Sequence, residues 1–512
     1  MLNFDNLQTP PDDGDVLIEP AASSFPELID NNIRGQQSQN VMLADVPLDA
    51  ARQAARDVLY GSQADKPVIA CGHQPAFIHP GVWAKQVVIR HVADSLTAAG
   101  IDFVVDNDSP TSSALQIPIV ESDGLLGTRY IAFTDASAGS AYEGRPPLQR
   151  VELKNFKQEL RAATDTYSHD PVLTNYLDGF SQVDDIRDVV QQHLAGRLKT
   201  DAPLGADINH LRVSEVFGGP FVADLLLNAE RFADAYNRSL TEYRRLQKVR
   251  SFNRPLPDLA RKGDRIETAL WIYRSLQKRR RLWIEHHGDR IDVYADNECV
   301  GALNASDLTR DVDTVLAGFK PWVVRPRALS LMLWIRLLAC DLFVHGIGGA
   351  KYDRITDGIF RRYYQCEPPA YVCVSATLRL PLPRQAVTID DLAAARLRRR
   401  DYCYNPDRYL GDAPPDLLSE RLRLIQESDR LRREQAPRLA RWETFSNIRR
   451  INDELVRSHP EIERQLVEDL DRIGKQIQSN RIADSREYFY ALQTREGLAM
   501  LADRLVEATG YK

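Results

Sequence analysis

Apolar residues follow two rhythms along this chain, and the change of rhythm divides it. Residues 66–71, Lys-Pro-Val-Ile-Ala-Cys, form a short run whose apolar stretch has the pattern of a strand buried on both faces. After Gly72-His-Gln-Pro75, residues 81–99 carry Val87, Val88, His91, Val92 and Leu96 at helical spacing, Gly100 stops the helix, and residues 101–106 return to a strand pattern. Strand, glycine turn, helix and strand in so short a span predict a βαβ unit and hence a parallel sheet. Residues 156–166, 183–198 and 223–249 are charged and helix-periodic, and predict a helical insertion. Residues 281–285 and 290–294, around a His287-Gly288-Asp289 turn, predict a hairpin. An apolar helix at 328–338, a strand at 341–345, the Gly346-Ile-Gly-Gly349 turn, a helix at 351–364 and a strand at 370–375 resume the α/β pattern.

From residue 388 the rhythm is helical alone. Leu417, Leu422, Ile425 and Leu431 draw one stripe, and Ile462, Leu466, Leu470, Ile473 and Ile477 another, as in a helical hairpin or short coiled coil. Pro437 and Pro460 forbid one continuous helix. The expected fold is α/β, with two halves of one parallel sheet. The segments are an N-terminal arm (1–62, with one helical piece at 48–60), a first half of the core (63–150), a helical insertion (151–275), a second half of the core (276–387) and a C-terminal helical region (388–512).

Composition narrows the function classes. The 512 residues, 43% hydrophobic and 27% charged, are ordinary for a globular chain of several domains. A formal charge of −6 leaves no basic field for nucleic acid or anionic lipid. The basic runs at 278–281 and 398–400 adjoin acidic residues and read as solvated faces. Six cysteines without a CxxC pair argue against a disulfide framework or a zinc knuckle. The acidic start lacks a signal-peptide core, and the best apolar run, 328–344, is interrupted by Arg336 and Asp341. A soluble, cytoplasmic protein without nucleic-acid or membrane partners is expected.

Candidate chemistry gathers where strands end. Gly72, His73 and Gln74, with His79 and Gly81 behind them, open onto a helix start, where free N–H groups favour phosphate or carboxylate. His73 and His79 are placed to donate to developing charge, and Lys85, a turn further on, to reach the same anion. The competing reading is a tight turn whose histidines cap or pack. Asp106 and Asp108 end the next strand with both carboxylates on one side, or make an Asx-turn. Gly346, Gly348 and Gly349 let backbone approach a ligand, with His345, Lys351 and Tyr352 around them and Arg325 upstream. The chain contains no HExxH, GxSxG, or GxGxxG at a strand–helix junction, so zinc-peptidase, serine-hydrolase and dehydrogenase readings lack their residues.

In order, these motifs resemble the bacillithiol-biosynthesis cysteine-adding enzymes. Gly72-His-Gln-Pro75, His79-Pro-Gly-Val-Trp83 and Lys85 stand as that family's first glycine turn and lysine-bearing helix. Arg325-Pro326, Gly346-Ile-Gly-Gly349, Lys351-Tyr352 and the strand near Tyr371 resemble its later stretch. His73 replaces a glutamine, Asp106-Asn-Asp-Ser109 lacks the family's histidine, and Lys351 stands where a glutamate often follows. The resemblance implies a Rossmann-like core interrupted by helical connecting segments, and a helical coiled coil that forms a homodimer. It also implies a ligase joining cysteine to an amino-sugar conjugate through an amide bond. ATP or ADP, with Mg²⁺, is the cofactor expected, with no metal-ligand residues assigned. Asp106 or Asp108 is the expected base. The alternatives are a nucleotidyltransferase-like enzyme on another small molecule and a non-catalytic scaffold.

Overall fold

Eleven strands, with the two-residue Arg261–Lys262 paired alongside one of them, carry the two larger sheets of the computed structural model, which describes residues 4–110, 112, 114–133, 139–181, 186–251 and 254–511. In chain order they are β1 (Val16–Glu19), β2 (Val68–His73), β3 (Ala99–Val104), β4 (Asn209–Arg212), β5 (Arg265–Arg274), β6 (Arg280–His287), β7 (Arg290–Ala295), β8 (Glu298–Asn304), β9 (Trp322–Pro326), β10 (Leu342–His345) and β11 (Tyr371–Ala376). The chain divides into two units: Met1–Ile117, Arg129–Pro381 and Arg486–Lys512 form the first, and Pro118–Thr128 and Leu382–Ser485 the second.

The first unit holds a six-stranded sheet in the order β1-β11-β10-β2-β3-β4. All its neighbours run parallel except β1, which is antiparallel to β11. β10 and β11 are buried along their whole length, as continuous apolar runs require in a sheet covered on both faces. Numbered along the chain, the five parallel strands lie in the order 3-2-1-4-5, so the order reverses between β2 and β10. The helix Pro80–Ser95 connects β2 to β3, and the C-terminal helix Arg495–Thr509 packs on it.

The pairing differs from expectation in four places. The 281–294 hairpin forms, with Leu282 opposite Ala295 and His287 opposite Arg290. It belongs, however, to a separate antiparallel sheet ordered β8-β7-β6-β5-β9, not to a second half of the parallel sheet. Short turns join β5 through β8 in succession, and a parallel pair would need a long crossover. Residues 151–275 are not wholly helical, because β4 forms the edge of the main sheet and β5 an interior strand of the second. The 1–62 arm contributes β1 to the main sheet, and its Asn32 side chain closes on the Asp341 and Ala370 carbonyls. The start of the helix expected at 183 lies outside the described residues, and the helix runs Val189–Asp201.

The fourth difference is at the C-terminus, where the last helix belongs with the first unit rather than with the helices after 388. The second unit contains the helices Ile389–Tyr404, Pro415–Arg433, Arg438–Ser458 and Pro460–Asp484. The breaks fall at Pro437 and Pro460, as proline's missing N–H dictates. Leu424, Ile451 and Leu455 centre one core, with Leu417, Ile462 and Leu466 packed against it. Ile473 and Ile477 centre another with Ala395. Among the described residues no helix is long and apolar enough to cross a membrane.

Candidate functional site

Ligands of open α/β sheets bind outside the carboxyl ends of the strands, at the point where strand order reverses. Here that point lies between the ends of β2 and β10, and each of those strands ends in a histidine. Phe343 is level with Ala70, and the same register carried on puts His345 level with Gly72. The two glycine motifs, far apart in sequence, are therefore brought together by strand pairing.

Lys85 sits at the centre of this corner. Its side chain turns back from the helix Pro80–Ser95 under the end of β2, is only 5% exposed, and Nζ donates to the Gly72 carbonyl at 3.2 Å. Its charge acts on His73, His79 and His345. Among the described residues no carboxylate lies within ion-pair distance of Nζ. The nearby Asp102 is committed to Arg197 and His210, each at 3.1 Å.

Each histidine is held in one tautomer. Burial, with Lys85 adding to it, brings His73 down to about 4, so the ring is neutral at pH 7. Its Nδ1 is 3.0 Å from the Gln74 carbonyl and must carry the proton. Nε2 of His73 is thus a lone pair, which corrects the expectation that this residue donates to developing negative charge. Burial and the Arg486 charge bring His79 down to about 3. There Nδ1 accepts from the Gly81 amide at 3.1 Å, so Nε2–H is the free donor. This bond also caps the helix, and the Val82 and Trp83 amides turn to the His79 carbonyl. The helix start is therefore satisfied by its own histidine and is not an open anion cradle.

The glycines divide by cause. Gly72 and His73 still pair with Phe103 and Val104, so the turn begins two residues later than expected. A Cβ on Gly81 would stand 2.8 Å from the Ala376 carbonyl, which makes that glycine a packing requirement. The 346–349 segment is not a loop: Gly346 precedes the short helix Ile347–Tyr352, which contains Gly348 and Gly349. A Cβ at 349 would meet His345 Nδ1 at 2.7 Å, whereas Cβ atoms at 346 and 348 would face open space. Lys351 has no hydrogen bond or ion pair among the described residues, and its charge reaches Cys373. Tyr352 is half exposed and rests against Tyr243.

The expected acids are engaged elsewhere. Asp106 is fully buried and accepts from Arg212 Nε at 2.8 Å, the Ser214 amide at 2.9 Å and the Ser214 hydroxyl at 2.6 Å. Burial pushes its carboxyl up, against those donors. It ties the exit of β3 to that of β4, and with both oxygens already accepting and no exposed surface it is poorly placed to act as a base. Asp108 pairs with Arg279 at 2.7 Å, takes the Ser109 amide at 2.8 Å, and accepts from Gln74 Nε2. Arg325 closes a fork on Glu143, with contacts of 2.9–3.1 Å, and the Tyr273 hydroxyl donates to the same carboxylate. Arg325 is thus a structural partner here and not a free clamp.

Sequence reasoning missed Glu143 and the buried charges beneath the site. Arg197 and Asp201 come from a helical segment with no strand–turn–helix signal, Asp102 sits within the expected 101–106 strand, and only their pairing in the core marks them. Asp353 lies just past the second glycine motif and belongs to none of the motifs read from the sequence. Cys71, 3.4 Å from Asp102, has its thiol pushed far up by burial and is packing. Among the described residues no cluster of three or more His, Cys, Asp or Glu could hold a metal ion. Compared with known proteins, the chain matches no family model and no curated protein.

Proposed function

We propose that the first unit is a Rossmann-like enzyme whose crevice at the β2/β10 reversal takes the phosphate of a nucleotide, and that it forms an amide bond in the manner of a cysteine ligase. One observation carries the anion part of this reading. Lys85 is buried with a single carbonyl partner, and a buried cation of that kind is stabilised by an anion from solution. The His79 Nε2–H adds a neutral donor on the same side. ATP, when bound, would supply the activation of a carboxylate. Mg²⁺ finds no ready set of protein ligands, since Asp106 and Asp108 are engaged, and no step is assigned to it. The 3-2-1-4-5 order of the parallel strands supports the Rossmann-like comparison. The ligase chemistry rests on the motif resemblance, and a cytoplasmic setting on six free thiols.

Calorimetry tests the reading. ATP and ADP, with and without Mg²⁺, are expected to bind the wild type in the micromolar range. Lys85→Met should weaken them about tenfold to a hundredfold, the cost of one hydrogen bond to a charged group. If neither nucleotide nor pyrophosphate binds the wild type, the reading fails. Binding with release of pyrophosphate, and no amide formed with any amino acid, would favour the nucleotidyltransferase alternative.

The reading includes a homodimer through coiled-coil-like helices of the second unit. Leu439, Trp442 and Phe445 stand 66%, 62% and 49% exposed at helical spacing on Arg438–Ser458. A patch of that kind is usually covered. Light scattering is expected to give twice the chain mass for the wild type and a single chain mass for Trp442→Glu. A wild type that is monomeric at high micromolar concentration refutes the dimer.

A further inference from the structure

His345 differs from the other two histidines of the corner in what stands behind it. Its Nε2 lies 2.9 Å from Asp353 Oδ2, so Nε2 carries the proton and Nδ1 the lone pair. The same oxygen accepts from Arg336 Nη1 at 2.7 Å, while the other arm of that guanidinium reaches Asp357 at 2.8 Å and the Pro369 carbonyl. Arg336 and Asp353 are each 1% exposed, whereas the His345 side chain is 8% exposed. The acid side of the imidazole is therefore sealed. Nδ1 has no hydrogen-bond partner among the described residues, and it lies over Gly349, whose missing Cβ makes room for the ring. Beside it are Gly346 and Gly348, whose Cβ positions face open space.

We propose that His345 is the proton acceptor of this crevice and that Asp353, fixed by Arg336, is the residue that positions it. The inference rests on the crevice being where a nucleophilic amine or hydroxyl is acylated. As that nucleophile attacks the activated acyl carbon, the new bond to carbon forms and the bond to the oxygen leaving group breaks, its electron pair departing with that group. The proton of the nucleophile passes to Nδ1. The imidazolium is then stabilised by the Asp353 carboxylate until it returns the proton to solvent or to the leaving group. No oxidant or further reactant enters the step. Asp106 and Asp108 are less suited to this part, because each of their oxygens already accepts from a protein donor.

The ionisable groups facing the ring are Asp353 on the following turn, Arg336 on the apolar helix, Lys85 on the helix after β2 and Tyr371 on β11. Burial lowers His345 from its ordinary 6.5, with Arg336 and Lys85 acting the same way and Asp353 opposing them. The neutral, proton-accepting form is therefore the resting one at pH 7.

Diethyl pyrocarbonate, which acylates only unprotonated imidazole nitrogen, reads this directly on the full chain. Modification of the His345 peptide, followed by mass spectrometry from pH 5 to 8, is expected to rise with a midpoint below 6.5. In Asp353→Asn the midpoint should move lower still, since the carboxylate that raises it is gone. His345→Gln should retain nucleotide binding by calorimetry while acylation turnover falls by roughly a hundredfold or more. Turnover of Asp353→Asn should follow the shifted midpoint. An unmodified His345 in the wild type, a midpoint unmoved in Asp353→Asn, or near-normal turnover in His345→Gln would each overturn the proposal. If Asp353→Asn does not fold, the wild-type midpoint and the His345→Gln turnover still decide. If the chain acylates nothing, the functional reading falls, and the modification profile alone decides whether the dyad exists.

Discussion

Replacing Arg197 by methionine is expected to destabilise the first unit by about 3–5 kcal/mol, the range for removing one partner of a buried ion pair. Arg197 comes from the helix Val189–Asp201 and is 1% exposed. Its Nη1 donates to Asp102 at 3.1 Å, and Asp102 has no exposed surface at all. Asp102 is held far below the usual carboxylate range by Arg197 and His210, in spite of burial. Asp201 is a weaker partner, 3.9 Å from Arg197 Nε, and burial pushes it up to about 6 although Trp83 and Tyr490 donate to it. Without the guanidinium two buried carboxylates would face each other with only the neutral His210, hydrogen-bond donors and Lys85, which makes no ion pair with either, to offset them. Scanning calorimetry should show the unfolding transition of the variant well below that of the wild type. The double variant Arg197→Met, Asp102→Leu should recover part of the loss, because no charge is then left unpaired. An unchanged transition in the single variant would show that the pair is not what holds β3 to this helix.

The second large effect is acid destabilisation beginning near neutral pH. Burial lowers His73 to about 4, His79 to about 3 and His193 to about 3, all from 6.5. A histidine whose folded pKa is below its unfolded one takes up its proton first in the unfolded chain. Its contribution is therefore full above 6.5 and is lost as pH falls from 6.5 towards the folded value. Each such histidine costs on the order of 3 kcal/mol over that window. Asp201 runs the other way, since its raised pKa gives stability that is full below 3.8 and lost as pH rises through about 6. Asp106, also raised by burial, acts with Asp201, while His210 and His345, lowered by burial, act with the three histidines, and the balance is a net loss on acidification. Melting temperature is expected to fall steadily between pH 6.5 and 4.5, and to fall less in His193→Leu, where the ring between Phe77, Phe133 and Phe180 no longer titrates. A flat profile over that interval would contradict the burial of these rings.

Much of the local structure was legible in the residues. The helix Leu48–Tyr60 coincides with the expected 48–60, and Pro437 and Pro460 stand at the helix breaks. The strands expected at 66–71, 101–106, 341–345 and 370–375 all form, within two residues. Such features depend on side chains a few positions apart, so period and turn chemistry reveal them. Both halves of the candidate site were also legible as glycine and histidine motifs at strand ends. Their roles were not. His79 caps its own helix, Gly81 serves packing, and His73 presents a lone pair rather than a proton.

By itself, then, the sequence determined the βαβ start, the sites of helix interruption, and the two strand ends that carry histidine and glycine. Only the tertiary structure decided which strands share a sheet, because β4 is four residues without an apolar run and is recognised by its pairing with β3 alone. It also decided the partner of every buried charge: Arg212 for Asp106, Glu143 for Arg325, Asp353 for His345. Two of these partners lie more than a hundred residues away in sequence, and the third, eight residues on, carries no motif that marks it. A charge is selected as a partner by distance in space and by the loss of water around it, and neither leaves a period along the chain.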